Sequence, residues 1–343
     1  MTALSPIIAS FTKAGSILLL ALVVCSLLLG LSGLLNLVRP EPFRTRGSSR
    51  LLLAVNILFL LGFGWIAWFH YEIHQHIALE LPKSLAQWLN ARLAASNQGA
   101  AYGLPLYDPA APPRYNIPLW IENEKYYFWF MCYGLLAMVA VRKLTNHRFQ
   151  GAVYLLLAVQ VAILQFVANP FTAPLPRFLA EVAPWFGPLG IGQRLGLFMK
   201  LYPRMVFYYN ASYMWLHPPL LFLSYACITL FFSTSVLMLF RRELAVEALG
   251  YDFAKLGYFM LTLGMLLGYP WALQAWGPNW WWDPKICSSI MMWAVFSTYL
   301  HTRLYANKRG MWYFSSVLGI VSFLAMIFTF IASFLFPGEH TFQ

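Results

Sequence analysis

The sequence predicts an all-α polytopic membrane protein, with about eight transmembrane helices and structured loops on the outer face. Three observations carry that reading. The chain has 343 residues, of which 60% are hydrophobic and only 10% charged, against about 25% charged in an ordinary soluble domain. Several apolar runs reach the roughly 20 residues a helix needs to cross the hydrocarbon core. The basic residues fall in short clusters between these runs.

Eight segments fit a membrane span, near 14–38, 51–70, 125–143, 150–168, 216–240, 254–273, 287–305 and 311–336. The first is too long for a signal-peptide core and lacks a convincing cleavage site. Four short connections hold compact positive charge: Arg39, Arg44, Arg46 and Arg50; Arg142, Lys143 and Arg148; Arg241, Arg242 and Lys255; Arg303, Lys308 and Arg309. Basic loops stay on the cytoplasmic side. These four therefore predict a cytoplasmic or stromal face, with both termini outside. The net charge of +11 is spent on topology in this way, and its distribution argues against a nucleic-acid partner. Cys25, Cys132, Cys227 and Cys287 form no CxxC pair, and buried small side chains are the expectation.

The outer side receives two long connections, about 71–124 and 169–215, rich in Pro, Tyr and Trp. Residues 107–113 read as irregular structure. From Gly190 to Tyr209, apolar residues alternate with Arg194, Lys200 and Arg204, the pattern of an amphipathic helix lying flat at the interface. Without linker, repeat or low-complexity tract, residues 1–343 form one membrane domain.

The most informative stretch is 276–285, Trp-Gly-Pro-Asn-Trp-Trp-Trp-Asp-Pro-Lys, with four tryptophans in its first seven residues. Gly277, Pro278 and Pro284 disfavour a continuous helix, so this is a shaped loop between spans six and seven. One reading is an aromatic belt at headgroup depth. The other is an indole platform for a large flat apolar ligand with polar edges, a description that haem fits.

Histidines lie at three depths. His217 precedes Pro218-Pro219 at the start of span five, at the outer interface. His340 follows span eight at the same surface, so the two flank the loop and are candidate axial ligands. His301 lies roughly 14 residues into span seven, about 21 Å deep, where an ionisable group is a functional candidate. Each, taken singly, also fits a satisfied structural residue. His70, His74 and His76 at the outer end of span two suggest a weak metal site or, more simply, a solvated loop, and His147 a basic turn on the cytoplasmic side.

The tryptophan loop resembles the WWD motif, usually written WGxxWxWDxxE, of the haem-handling family of cytochrome c biogenesis that contains CcmF, CcmC and CcsA (also called ResC). Trp276, Gly277, Trp280, Trp282 and Asp283 fill its fixed places. Pro284-Lys285 match the Pro-Lys of CcsA-type members, and Ile286 stands where that type usually has Glu. His217-Pro218-Pro219-Leu220-Leu221 and Asn169-Pro170-Phe171 are similar to CcmF. The segments 299–303 and 336–340 look like CcsA. A further family-like segment runs from Ile117 to Lys125. The resemblance is specific over about 200–343, and closest to CcsA.

That resemblance implies cytochrome c biogenesis, in which the protein presents haem b, bound as substrate, for attachment to the CxxCH segment of an apocytochrome c. It implies a haem lyase (synthetase) component, a CcsB/ResB-like membrane partner, and a bacterial inner membrane or plastid thylakoid. His217 and His340 would ligate the haem iron, with His301 a candidate ligand of a second one. Trp276, Trp280 and Trp282 would pack on the macrocycle, Asp283 would order the loop, and one of Arg194, Lys200 or Arg204 would pair with a propionate. The rival classes are a quinone-linked b-haem redox subunit, a haem transporter without ligation chemistry, and a structural subunit. An absorption spectrum of the purified protein separates them.

Overall fold

A computed structural model of the chain describes residues 4–38, 42–100, 102–278, 280–305 and 310–338. Among these residues there is no β-strand, only one antiparallel bridge between Ala78 and Arg114. The long helices are α1 (Leu4–Val38), α2 (Pro42–His76), α4 (Glu124–Lys143), α5 (His147–Phe166), α8 (His217–Phe240), α9 (Leu244–Trp276), α10 (Pro284–Thr302) and α11 (Met311–Leu335). Shorter ones, α3 (Ala86–Asn97), α6 (Pro176–Val182) and α7 (Ile191–Arg204), lie in the two long connections. All eight segments expected to span are thus helical. Six helices, α1, α2, α5, α8, α9 and α11, are long and apolar enough to cross a bilayer. The 20-residue α4 and 19-residue α10 fall outside that set.

Local chemistry sets the helix ends. Asn146 caps α5, its side-chain oxygen accepting from the N–H groups of Arg148 and Phe149. Glu124 opens α4, and Arg142 with Lys143 close it, matching the helix dipole at both ends.

The centre of the bundle is α8. Within its apolar stretch 67% of residues are buried, against 33% in α1, α2 and α9, so α8 is the most enclosed of the six long apolar helices. It packs on α9, α11 and α4, while α1 packs on α2 and α5, and α10 on α11. Gly250, Gly257 and Gly264 recur every seven residues on α9 and face Thr234, Cys227 and Leu221 of α8. A Cβ at Gly257 would lie 2.9 Å from that of Cys227, and one at Gly264 2.8 Å from the Leu221 side chain. Small residues are what let two backbones come this close where lipid supplies no hydrophobic drive.

The long connections form a packed layer over one end of the bundle, and here the structure corrects three expectations. First, α2 continues to His76, so His70 and His74 sit on a helix and not in a solvated loop. They bond the carbonyls of Ile117 (3.0 Å) and Tyr115 (2.8 Å), pinning the chain that leads into α4. Second, residues 86–97, expected as loop, are helical. Third, α7 forms as an amphipathic helix, but Phe198, Leu201 and Tyr202 on its apolar side are buried against protein. Phe198 packs edge-on against Tyr107 and at a tilt against Trp185, and Tyr202 donates to the carbonyl of Pro105 (2.8 Å). The 77–123 connection supplies part of that cover, through Tyr107 and Pro105.

Candidate functional site

Beneath that layer, at the N-terminal end of α8, lies a cavity of about 550 Å³. Its walls come from α8, the last turns of α9, the first turns of α10, and the 117–125 and 203–215 segments. Indole rings of Trp120, Trp271, Trp276 and Trp280 line it, with His217 among them.

His217 is held by α9. Its Nδ1 lies 2.6 Å from the Gly264 carbonyl oxygen. A carbonyl can only accept, so Nδ1 carries a proton, and in the neutral ring the lone pair then lies on Nε2. One turn along, Gly268 makes room for the ring: a Cβ there would lie 2.5 Å from His217 Cε1. Trp271 stacks beside the imidazole at 6.2 Å between centroids, and its N–H is spent on the Phe207 carbonyl (3.2 Å). Trp120 likewise donates to the Met214 carbonyl (2.6 Å). Both indole N–H groups are therefore spent on the backbone.

The tryptophan loop is shaped by two residues. Gly277 ends α9 at φ +76°, ψ −164°, a region open essentially only to glycine. Asp283, 5% exposed, caps α10, accepting from the N–H groups of Lys285 (3.0 Å) and Ile286 (3.3 Å). Between them, residues 280–282 make one tight helical turn. Trp276 packs edge-on against Trp271 (4.6 Å) and Trp280 against Tyr269 (5.3 Å). Trp282 turns the other way: it stacks on Trp281 (4.2 Å), is 68% exposed, and does not line the cavity. After α11 the chain returns to the loop, where a Cβ on Gly338 would meet Asp283 Oδ2 and Pro284 Cδ at 2.6 Å. His340 lies outside the described residues.

His301 is exposed, one residue from the far end of α10. Of the three cations expected near a carboxylate ligand, only Arg204 reaches the cavity. Arg194 lies over the Trp185 ring at 5.1 Å, and Lys200 is exposed. Arg204 pairs with Glu181 (2.7 Å), which also accepts from the Tyr209 hydroxyl (3.1 Å). Burial, then Glu181, raises the Tyr209 pKa, so this hydroxyl stays a donor. Burial works against the charge on Arg204, but Glu181 outweighs it and the pKa is raised.

Sequence reasoning missed Trp120, Trp271, Lys125, Arg177 and Lys285 as cavity residues. A signal existed for part of this set, since Trp120 and Lys125 fall in the Ile117–Lys125 segment. The Gly264/Gly268 pair at helical spacing was the sign of a ring seated on α9. Of the cysteines, Cys132 and Cys227 are buried as expected, whereas Cys287 is exposed beside the loop.

At the opposite end of α8 is a second cavity, about 400 Å³, between α1, α5 and α8. Phe232, Val236, Leu237 and Phe240 line it, and Asn146, Arg148, Arg241 and Glu243 sit at its rim.

Residues 120–340 match the family model described as cytochrome c assembly protein, a span covering more than half the chain and the whole WWD-like region. The chain belongs to the cytochrome c assembly protein family. Relatives of this family include the cytochrome c biogenesis protein CcsA of Cyanidium caldarium, 40% identical over 24% of this chain and 28% of the relative. CcsA of Chlamydomonas reinhardtii is 30% identical over 39% of this chain and 41% of the relative. For CcsA of Gloeobacter violaceus the figures are 34%, 32% and 33%. The matches thus span less than half the length of these relatives. Among solved structures, the cytochrome c haem lyase CcmF superposes over 96% of this chain and 47% of its own, with a TM-score of 0.63 at 20% identity. That likeness establishes a shared fold.

Proposed function

We propose that this chain binds haem b in the cavity beside His217 and presents it at the outer membrane face for covalent attachment to the CxxCH segment of an apocytochrome c. The seating of His217 carries the reading. A histidine tied through Nδ1 to a backbone carbonyl, with its lone pair on Nε2, is the form that ligates iron. Here it faces a cavity walled by indoles, within the size range of small-molecule sites. Trp276 and Trp280 are placed to pack on a flat macrocycle. Gly277 and Asp283 hold the loop's shape, and Trp282 sits outside, where an incoming chain would meet it.

His340 is proposed as the second axial ligand. Supporting this, Gly338 packs on Asp283, and two residues of chain reach at most about 7 Å further. His301 is proposed for a second haem iron, shared with a CcsB/ResB-like subunit, because its exposed position on α10 leaves the ring to a neighbouring helix. In the proposed topology α4 and α10 also cross, making eight spans. The basic connections then face the cytoplasm or stroma, and both termini and the tryptophan loop face outward, in a bacterial inner membrane or thylakoid. Residues 1–343 act as one membrane domain, with the haem-handling region at about 200–343.

The bond-forming chemistry belongs to haem and peptide. Each cysteine S–H adds across one vinyl C=C, sulfur to one carbon and hydrogen to the other, with no net oxidation. The client histidine takes an axial place. This chain's residues supply the binding and the orientation. His217→Ala is expected to remove the histidine-ligated haem spectrum of the purified protein and to lower the yield of holocytochrome c. Retention of both by the variant would overturn the reading.

A further inference from the structure

We propose that the second cavity, at the C-terminal end of α8, seats one anionic phospholipid, with an acyl chain between α5 and α8 and the phosphate held by Arg148 and Arg241. The inference goes beyond the haem reading and does not depend on it.

The shape of the cavity suits a single chain. Its lining runs from Arg148 to Leu156 on α5 and from Phe232 to Phe240 on α8. At 1.5 Å per residue each wall is about 12 Å long, most of the roughly 15 Å of hydrocarbon in one leaflet. Leu155, Leu156, Phe232, Val236 and Leu237 make these walls apolar, and Ala152 leaves space between them. On the side of α1 the helices are closed: a Cβ at Gly33 would lie 2.8 Å from the Gly151 carbonyl oxygen. Leu155 and Phe240 both line the cavity and are exposed, Phe240 at 84%, so it opens sideways as a groove. An empty apolar groove forfeits dispersion contacts along its whole lining. In a bundle that spans a bilayer, acyl chains are the material at hand to restore them.

The charge stands at one end of the groove. Arg148 lies in the first turn of α5, and Arg241 directly follows α8, so the two guanidiniums rise from opposite walls. Glu243 is the one carboxylate among the described lining residues; it lies 3.7 Å from Arg241 and accepts from the Asn146 amide. The mouth therefore carries two guanidiniums to one carboxylate above an apolar wall. A free inorganic anion answers the charge and leaves the wall bare. A lipid without net charge fills the wall and leaves the charge. An anionic phospholipid meets both, and a guanidinium fork matches phosphate oxygens. Basic pockets between spanning helices hold acidic headgroups in this way. The bound chain fills the seam between α5 and α8, and the phosphate ties the start of one helix to the end of the other.

The test is native mass spectrometry of the full-length protein in detergent, titrated with dioleoyl phosphatidylglycerol or dioleoyl phosphatidylcholine. These lipids share their chains and differ in headgroup charge. One molecule of phosphatidylglycerol is expected to bind at least about fivefold tighter than phosphatidylcholine, the attraction of one basic side chain at a lipid surface, and to raise the thermal midpoint. Glycerol 3-phosphate, which has the phosphate and no chains, is expected not to compete. Arg148→Gln with Arg241→Gln, both at exposed positions, is expected to bring the two lipids within about twofold. Arg148→Lys with Arg241→Lys is expected to keep the preference. Ala152→Leu, which narrows the groove, is expected to weaken both lipids with the helical circular dichroism unchanged. Equal affinity for the two lipids overturns the proposal. So does a preference that survives the double glutamine variant, binding unaltered by Ala152→Leu, or competition by glycerol 3-phosphate, which would make the site one for a free anion. Each of these outcomes leaves the haem reading standing.

Discussion

One helix, α8, lines a cavity at each end, and the two cavities differ in kind. At its N-terminal end His217, Pro218, Leu221, Phe222 and Tyr225 face a chamber with four indoles, four cations and no acid among the described lining residues. At its C-terminal end Phe232, Val236, Leu237 and Phe240 face a groove with two arginines, one glutamate and no histidine or tryptophan. In the groove the charges answer one another: Arg241 Nε lies 3.7 Å from Glu243 Oε1, and Asn146 donates to Glu243 Oε2 at 2.5 Å. Size does not separate the two, since their volumes are comparable. What does is an imidazole tied to a backbone carbonyl and a wall built of indoles and cations. A hydrophobic hollow in a helix bundle is ordinary; this pairing of features sits at one end only.

The comparison can be broken most directly at Gly268. Gly268→Leu drives a side chain into the His217 ring and is expected to abolish histidine-ligated haem as completely as His217→Ala, read from the Soret band. Ala152→Leu, which alters the groove, is expected to leave that band unchanged, and a loss there would show that the two ends are not independent. Next in size is Gly277→Ala. Forcing a Cβ into φ +76°, ψ −164° is expected to cost about 1–3 kcal/mol and to lower the thermal midpoint in detergent. Unchanged midpoint and unchanged haem affinity would mean the loop reshapes freely. Asp283→Ala removes the cap of α10 and is expected to cost about 1 kcal/mol. Asp283→Asn, which still caps, should lose only a few tenths of that scale, so equal losses in the two variants would point to a role for the charge. The smallest effect is expected at the groove rim: Arg148→Gln with Arg241→Gln should leave haem affinity within about twofold. A large drop would move ligand chemistry to the wrong end of α8.

How much of this could be read from sequence varies from residue to residue. His217, Trp276 and Trp280 were legible because they stand in short motifs, and all three line the cavity. The shape of the loop was legible too, since Gly277 and Asp283 act through local backbone geometry that extends only a few residues. Trp282 belongs to the same motif yet points outward, because a tight turn at 280–282 sends neighbouring side chains in opposite directions. Lys125, Arg177 and Trp120 were not legible as site residues. They lie far from the loop in sequence, and only the folding of two long connections over the bundle brings them to it. His70 and His74 read as a loop cluster, but α2 runs longer than its apolar run, and their rings meet carbonyls some 40 residues away.

By itself, then, the sequence determined that this chain is a bundle of apolar helices with a shaped aromatic loop between two of them. Apolar length, helix caps and glycine-only backbone are local properties, and they act wherever the chain goes. Tertiary structure alone decided which nitrogen of His217 is spent on α9, which indoles line the cavity, and which cations reach it. Those outcomes depend on distances between residues far apart in the chain, and a linear pattern does not encode distance.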